Sequence, residues 1–564
     1  MRQSAAALTA QLRGIGAGGR PGPVPGVEAL AAAVGEFSAA FDRRRGGFGS
    51  APRFPRPSEL LFLLREHARS GSAQAREMTV RTLEAMALGG MRDHLGGGFH
   101  RYSVDADWRV PHFEKMLYDQ AQLALAYLEA AQLTGEAFHR EVADDTLAYV
   151  ARDMTDAGGG FYSAEDADSI PPEQDDGHRG VGPQPGGSSA HKTEGAFYLW
   201  TWDEIGSLCG ADAELVRARF GVEPDGNAPF DPHAEFTGKN LLYAARTAQD
   251  LATAFSTTAE DVTQRLERAR PRLFEHRAGR PRPHLDDKIL TAWNGLMIAA
   301  FARGARVLGR VDHLRAARRA AAFVRERLWQ PATRTLLRRF RDGEAAIAGY
   351  ADDYAFLIFG LLELFQVDGD PGWLSWAIDL QRRQDELFWD EDGGGWFSTS
   401  CADPSVLIRL KEDYDGAEPS ATAVGAMNLL VLAHLTGDPP WSARLERAVG
   451  AFATRVETAG RSVPLMLAAL SACHAGVQQI VIVGRRDDER TWQLTGALAA
   501  RYLPFAVSLI VEPGEQQQRL AAMSPPIGAM TMLEGRPTAY VCRDFVCLAP
   551  ATDVESLAAA LRVS

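Results

Sequence analysis

The sequence predicts a mainly α-helical protein, an (α/α)6 barrel followed by a small C-terminal α/β part. Three observations carry that expectation. Strongly apolar helical patterns begin near residues 57, 112, 287, 350, 418 and 462, and a helix with no polar face is a buried one. Amphipathic helices begin near 28, 74, 136, 312, 371 and 440 and alternate with the first set. Each set has six members, and no short fixed period of the kind that marks solenoids runs through them. An inner ring sheathed by an outer ring explains the alternation better than an open α-solenoid, which also stacks helix pairs.

Taken in order, Gly14 to Gly26 is a Gly/Pro-rich linker, and a helix over 28–42 ends at the segment RRRGGFGSAPRFPRP. Pro57 and Ser58 open the apolar helix SELLFLLREHARSG, and a more polar helix spans 74–92. An apolar helix over 112–134 is followed by an amphipathic one over 136–154. Residues 171–193 are rich in Gly, Pro and Ser and read as a surface loop. Between 194 and 275 the pattern supports only a helix near 260–275. The pairs 287–308 with 312–329, 350–366 with 371–388, and 418–436 with 440–458 follow, and 462–475 closes the series. Beyond it, 478–484 and 506–511 read as strands, 490–502 and 554–562 as helices, and 538–548 alternates as a strand does. The expected division is 1–27 as linker, 28–476 as barrel and 477–564 as a small α/β domain.

Composition narrows the function classes. The net charge of −13 over 564 residues argues against nucleic acid or an anionic membrane as the main partner. No apolar run reaches the roughly 18 residues of a membrane helix, and the N-terminus lacks a signal-peptide core. Five scattered cysteines (Cys209, Cys401, Cys473, Cys542 and Cys547) fit a reducing compartment, and a cytoplasmic location is expected. Cys542 and Cys547 have four residues between them, not the two of a CxxC motif, and read as inert buried thiols.

The stretch from Gly96 to Asp119, GGGFHRYSVDADWRVPHFEKMLYD, organises the candidate site. Proline suits a helix's first position, so Pro111 is expected to start a helix that carries His112 and Glu114 in its first turn. Tyr118 follows one turn after Glu114. Glycine-rich hairpins recur near 45, 96, 158 and 393 after the amphipathic helices. All inner helices share one direction, so hairpins and inner-helix starts converge on one mouth. The catalytic candidates there are Glu114, His112, His100, Asp166, Asp287, Asp352 and Asp353. Paired carboxyls suit glycoside hydrolysis, and histidines suit proton transfer near neutral pH. Adjacent Asp352 and Asp353 at a helix start also fit simple capping. The ligand-binding candidates are Tyr102, Asp105, Trp108, Tyr118, Asp168, Trp293, Asn294, Tyr350, Asp413 and Glu418, a set rich in rings that stack on a sugar. No HExxH, CxxC or EF-hand spacing supports a metal, and QIVIVGR lacks a dinucleotide fingerprint, so no metal or cofactor is expected.

The motifs RGGFGSAPRFPRP, LGGGFHRYSVDADWRVPHFEKMLYDQAQL, GGFYSAEDADS, EGAFYLWT, DDKILTAWNGLMI and AYVCRDFVC closely resemble one family. It is the thioredoxin-domain-containing family of spermatogenesis-associated and bacterial proteins. The resemblance runs from about residue 28 to the end. It implies a six-hairpin glycosidase-like barrel and a C-terminal α/β part after a thioredoxin-like domain. The cysteine and tryptophan motif of that first domain is absent here, and residues 1–27 read as a remnant of the connector. The expected function is therefore a sugar hydrolase or an isomerase/epimerase working on a small polyhydroxylated ligand. The alternative is a non-catalytic barrel that binds a ligand or partner for a separate thioredoxin-like redox domain.

Overall fold

Helices without a polar face need a second layer against them on every side, and the computed structural model shows how this chain supplies one. It describes residues 21–172, 191–229, 231, 235–543 and 546–563. Pro57–Ser70, Leu117–Thr134, Thr291–Leu308, Ala351–Asp368, Ala421–Thr436 and Pro464–Ala475 each pack against the next, and the last packs against the first. The ring is closed. Outside it, Ala73–Leu88, Ala137–Asp153, Val311–Arg327, Pro371–Phe388 and Pro439–Ala451 each fold back on the inner helix before them. The sixth cover comes from the other end of the chain: Val27–Ala40 lies on Pro464–Ala475, with Leu30, Ala33 and Phe37 in the same core. The architecture is the expected (α/α)6 barrel.

Inner helices Thr291–Leu308 and Ala351–Asp368 approach most closely. A Cβ placed on Gly295 would lie 2.3 Å from the Phe356 carbonyl, and one on Gly360 would lie 2.4 Å from the Gly295 oxygen. Only glycine lets these two backbones touch.

The glycine-rich hairpins share one construction. Each closes an antiparallel bridge, Phe41 to Phe48, Arg92 to Phe99, Thr155 to Phe161 and Trp389 to Trp396. The residue after the first bridge partner is always an aspartate (Asp42, Asp93, Asp156 or Asp390) whose carboxylate accepts backbone N–H groups of its own turn. The acid fixes the turn and the aromatic anchors it.

Two inner helices start later than the sequence suggests. Pro111–His112 pairs with Tyr102–Ser103, and Lys115–Met116 pairs with Ala164–Glu165. That pairing keeps the backbone extended up to Leu117, so His112 and Glu114 precede the helix and do not sit in its first turn. Likewise Ile289–Leu290 pairs with Arg339–Phe340, and the next helix waits for Thr291. The hairpin Thr335–Arg341 with Glu344–Ala348 and the helices Trp202–Cys209, Ala213–Phe220 and Ala248–Ala254 have no counterpart in the sequence expectation, whereas the helix near 260–275 is present as Ala259–Ala278. Residues 1–20 of the linker and 173–190 of the expected loop lie outside the described residues.

At the end of the barrel away from the mouth, Gln478–Val483 pairs in parallel with Ala506–Val511 and antiparallel with Thr538–Arg543. This sheet is fastened to the barrel floor by Tyr502, whose hydroxyl donates to Glu129 (2.8 Å), and by Gln132, which donates to the Ala499 carbonyl (2.7 Å). Cys542 and Cys547 are not free thiols. They face each other across antiparallel strands and form a disulfide, because a short hairpin brings directly opposed side chains together. Among the described residues no helix is long and apolar enough to cross a membrane.

Candidate active site at the barrel mouth

The lip of the mouth is set by a buried ionic knot. Lys115, fully buried, donates to Asp93 Oδ2 (3.0 Å) and to the Gly97 carbonyl (2.9 Å). Arg277 grips both Asp93 oxygens at 2.8 Å. Burial works against the Asp93 charge, yet Arg277 and Lys115 hold its carboxyl well below the usual range. Lys115 also lies 4.1 Å from the Tyr149 ring and 5.1 Å from the Tyr198 ring. The knot ties the Asp93 hairpin to the strand that carries His112 and Glu114.

Above it, His112 is oriented. Its Nδ1 meets Glu194 Oε1 at 2.6 Å, and Glu194 also accepts the Phe113 N–H (3.2 Å). The hydrogen bond it donates to Glu194 raises the imidazole above its ordinary value, against burial. Nε2 points the other way and lies 3.8 Å from Glu114. The ring stacks on Tyr102 at 4.9 Å, and Tyr102 lies against the exposed Phe54 at 4.7 Å. Glu114 pairs with Arg101 at 2.7 Å, and Arg101 also faces the Tyr118 hydroxyl. Asp168 stands opposite Glu194 across a short strand pair, its carboxyl pushed up by burial and then by Asp166 and Glu194.

Deeper in, Trp293 Nε1 donates to Glu418 at 2.7 Å, and Tyr118 meets the Trp293 ring edge-on at 4.9 Å. Burial lifts the Glu418 carboxyl to about 7, against that donor and with Asp352 adding to it. Buried Asp119 is pushed well up by burial, with Glu418 and Glu114 adding to it against Arg101, and its Oδ2 has no hydrogen-bond partner among the described residues. Arg338 bridges Asp352 (3.1 Å) and Asp353 (2.8 Å) and lies over the Tyr350 ring at 4.9 Å. The mouth thus brings together carboxyls that burial holds above their ordinary range, an oriented imidazole and stacking rings.

The remaining candidates have other partners. His100 is buried, bonds the Phe113 carbonyl through Nδ1, and is driven by burial down to about 3. Trp108 is buried beside Arg53. Asn294 staples Phe161 through both its amide atoms. Asp353, also buried, accepts the Ala292 and Tyr350 N–H groups and joins two inner-helix starts. Asp105 closes its own turn by accepting from Asp107, Arg109 and Val110. Asp287 pairs with Arg341 at 2.8 Å, and Asp413 pairs with Arg455. Asp166 is exposed and caps Ala167.

Sequence reasoning passed over Glu194, Asp119, Arg101 and Arg338 as site residues. Glu194 opens the EGAFYLWT stretch, which was the available signal, and Arg101 and Asp119 lie within the Gly96 to Asp119 stretch itself; Arg338 has no local pattern that marks it.

No family model matches the chain. Over 538 residues it is 40% identical to spermatogenesis-associated protein 20 of Homo sapiens, covering 91% of this chain and 66% of the human protein. It therefore spans just under two thirds of that relative's length. Over 543 residues it is 34% identical to the uncharacterized protein B0495.5 of Caenorhabditis elegans, covering 92% of this chain and 71% of the nematode protein. Among solved structures, cellobiose 2-epimerase from Bacillus thermoamylovorans B4167 superposes with a TM-score of 0.46 at 9% identity, covering 75% of this chain and 85% of that one. A D-mannose isomerase gives a TM-score of 0.45 at 11% identity over the same shares. With more than nine-tenths of its length aligned to both animal proteins, the chain belongs to the family of spermatogenesis-associated protein 20 and its nematode relative.

Proposed function

We propose that the mouth performs acid–base chemistry on a free sugar or related polyol, in the manner of an isomerase or epimerase rather than a hydrolase. The observation that carries this is the Glu194–His112 pair. A carboxylate fixes one imidazole nitrogen, and the other is left beside a ring that a sugar can stack on. Hydrolysis would need one protonated and one ionised carboxyl across a bond. Glu418 supplies the first, but Glu114 is spent on Arg101.

The test is deuterium incorporation from D2O at the carbon beside the carbonyl, read by NMR over a panel of aldoses and ketoses. His112→Gln should lose turnover by at least roughly a hundredfold. Glu194→Gln should shift the imidazole limb of the rate profile to lower pH, because the carboxylate is what raises that group. Glycoside cleavage without exchange would overturn the assignment.

A second reading has one observation in its favour. The space on the barrel axis among Ser58, Gln122, Leu296 and Val424 is only about 30 Å3, room for little more than water. In that reading the barrel recognises a ligand or partner for a separate thioredoxin-like domain. Sugar binding without any exchange would select it.

A further inference from the structure

On the outer ring, away from the mouth, a buried histidine stands without the partners its chemistry demands. His139 lies in the first turn of Ala137–Asp153 with its side chain wholly buried, and neither ring nitrogen has a hydrogen-bond partner among the described residues. A buried polar group left unpaired in this way costs the fold stability that a bound partner would restore. Two carboxylates complete the surroundings: Glu136, from the turn just before the helix, and Glu84, from the neighbouring outer helix Ala73–Leu88. One ligand atom from each of the three lies within 4.8 Å of the others.

We propose that Glu84, Glu136 and His139 form a binding site for a divalent transition metal ion of the zinc type. His139 Nε2 stands 3.6 Å from Glu136 Oε2, too long for a hydrogen bond. Two ligand atoms at about 2.0–2.1 Å from one tetrahedral zinc lie roughly 3.3 Å apart, so the spacing suits a shared ion.

One imidazole and two carboxylates suit zinc, cobalt or manganese, and zinc binds such sets more tightly than manganese. Three protein ligands leave a position for water, and Glu136, about half exposed, gives the ion its way in. The ion would pin the start of Ala137–Asp153 to the C-terminal half of Ala73–Leu88. The mouth itself is no rival: His112 directs its two nitrogens at different carboxylates, Nδ1 to Glu194 and Nε2 toward Glu114.

The test uses the full chain, stripped with chelator and titrated with zinc by calorimetry, with cobalt(II) as an optical probe. One ion per chain, a raised melting temperature on zinc addition and a cobalt visible spectrum typical of mixed nitrogen and oxygen ligation are expected. Glu136→Gln, at an exposed position that leaves the fold intact, should weaken zinc binding at least about tenfold. His139→Gln should abolish the cobalt spectrum, its folding checked by circular dichroism. His112→Gln should bind zinc as the parent does. A parent chain that takes up no ion overturns the proposal, and so does binding that survives Glu136→Gln but disappears in His112→Gln.

Discussion

Replacing Asp93 with asparagine probes whether the ionic knot under the mouth behaves as its geometry requires. Asp93 accepts from the N–H groups of Leu95 and Gly96 (3.0 and 2.9 Å), from Lys115 (3.0 Å) and twice from Arg277. All three charged side chains are almost fully buried, with relative exposures of 5% for Asp93, 0% for Lys115 and 3% for Arg277. An amide keeps one acceptor and turns an NH2 toward two cations, leaving both without the carboxylate they bond, with only Glu165 nearby as a counter-charge. Removing one partner of a buried pair costs about 3–5 kcal/mol, and two stranded cations place Asp93→Asn in the upper part of that range. Lys115→Met is the calibrating variant. It leaves Asp93 in its bidentate grip with Arg277 and strands only the Gly97 carbonyl, for about 1–3 kcal/mol. Urea unfolding, followed by tryptophan fluorescence and circular dichroism together, measures both. Because the Asp93 carboxyl is held below its ordinary 3.8, its contribution is fully present above that pH and fades as pH falls through the native value. The gap between parent and Asp93→Asn should therefore stay constant from neutrality down to about pH 4 and narrow below it. An asparagine variant that loses no more than Lys115→Met would refute the reasoning.

Two further outcomes follow from the packing and the lip. Gly295→Ala should destabilise the barrel by at least about 1–3 kcal/mol, since the new methyl meets the Phe356 backbone, which cannot rotate away; a melting temperature equal to the parent's would contradict the close crossing. Glu114→Gln should cost only about 0–1 kcal/mol, because its Arg101 pair is partly exposed. If Glu114 also touches the substrate, exchange should fall roughly a hundredfold with the melting temperature unmoved, and unchanged turnover would reduce it to a fastening for Arg101.

The ring was legible because its signal is repeated and non-local effects do not disturb it. Leu61, Leu123, Ile298, Leu357, Leu429 and Leu467 sit on helices apolar enough to admit no exposed face, and their amphipathic partners follow at once. The helix starts were less legible. Pro111 satisfies every local rule for a first helical residue, but its strand partner Ser103 comes from the preceding hairpin, and that pairing is invisible to a window. The same limit applies to the candidate site. Aromatic and acidic residues clustered in one stretch pointed to the mouth, yet the carboxylate that orients His112 arrives from 82 positions later in the chain. Asn294 and Asp353 have side chains suited to a ligand and are spent on backbone N–H groups, Asn294 on Phe161 of a hairpin and Asp353 on Ala292 of a neighbouring helix, a use that only coordinates reveal. Glu84 and His139 belong to different helices, so no spacing rule links them.

The seam where Pro57–Ser70 meets Pro464–Ala475, capped by Val27–Ala40, has a consequence for how the chain is made. A ribosome delivers the first inner helix some four hundred residues before the neighbour that completes its side of the ring. Until then, one flank of Pro57–Ser70 and the part of Val27–Ala40 that covers Pro464–Ala475 stay open, although Phe37 already rests on Phe48 and Phe62. The nascent barrel is an open arc with a sticky edge at each end, and the two edges recognise each other. Within one polypeptide they meet and close; on a crowded polysome the edge of one arc fits the opposite edge of the next just as well. Such a fold favours either a holdase during synthesis or an early, transient association of its terminal helices. Nicking the chain between residues 173 and 190 should leave two pieces that still find each other, because the ring offers each of them two matched borders.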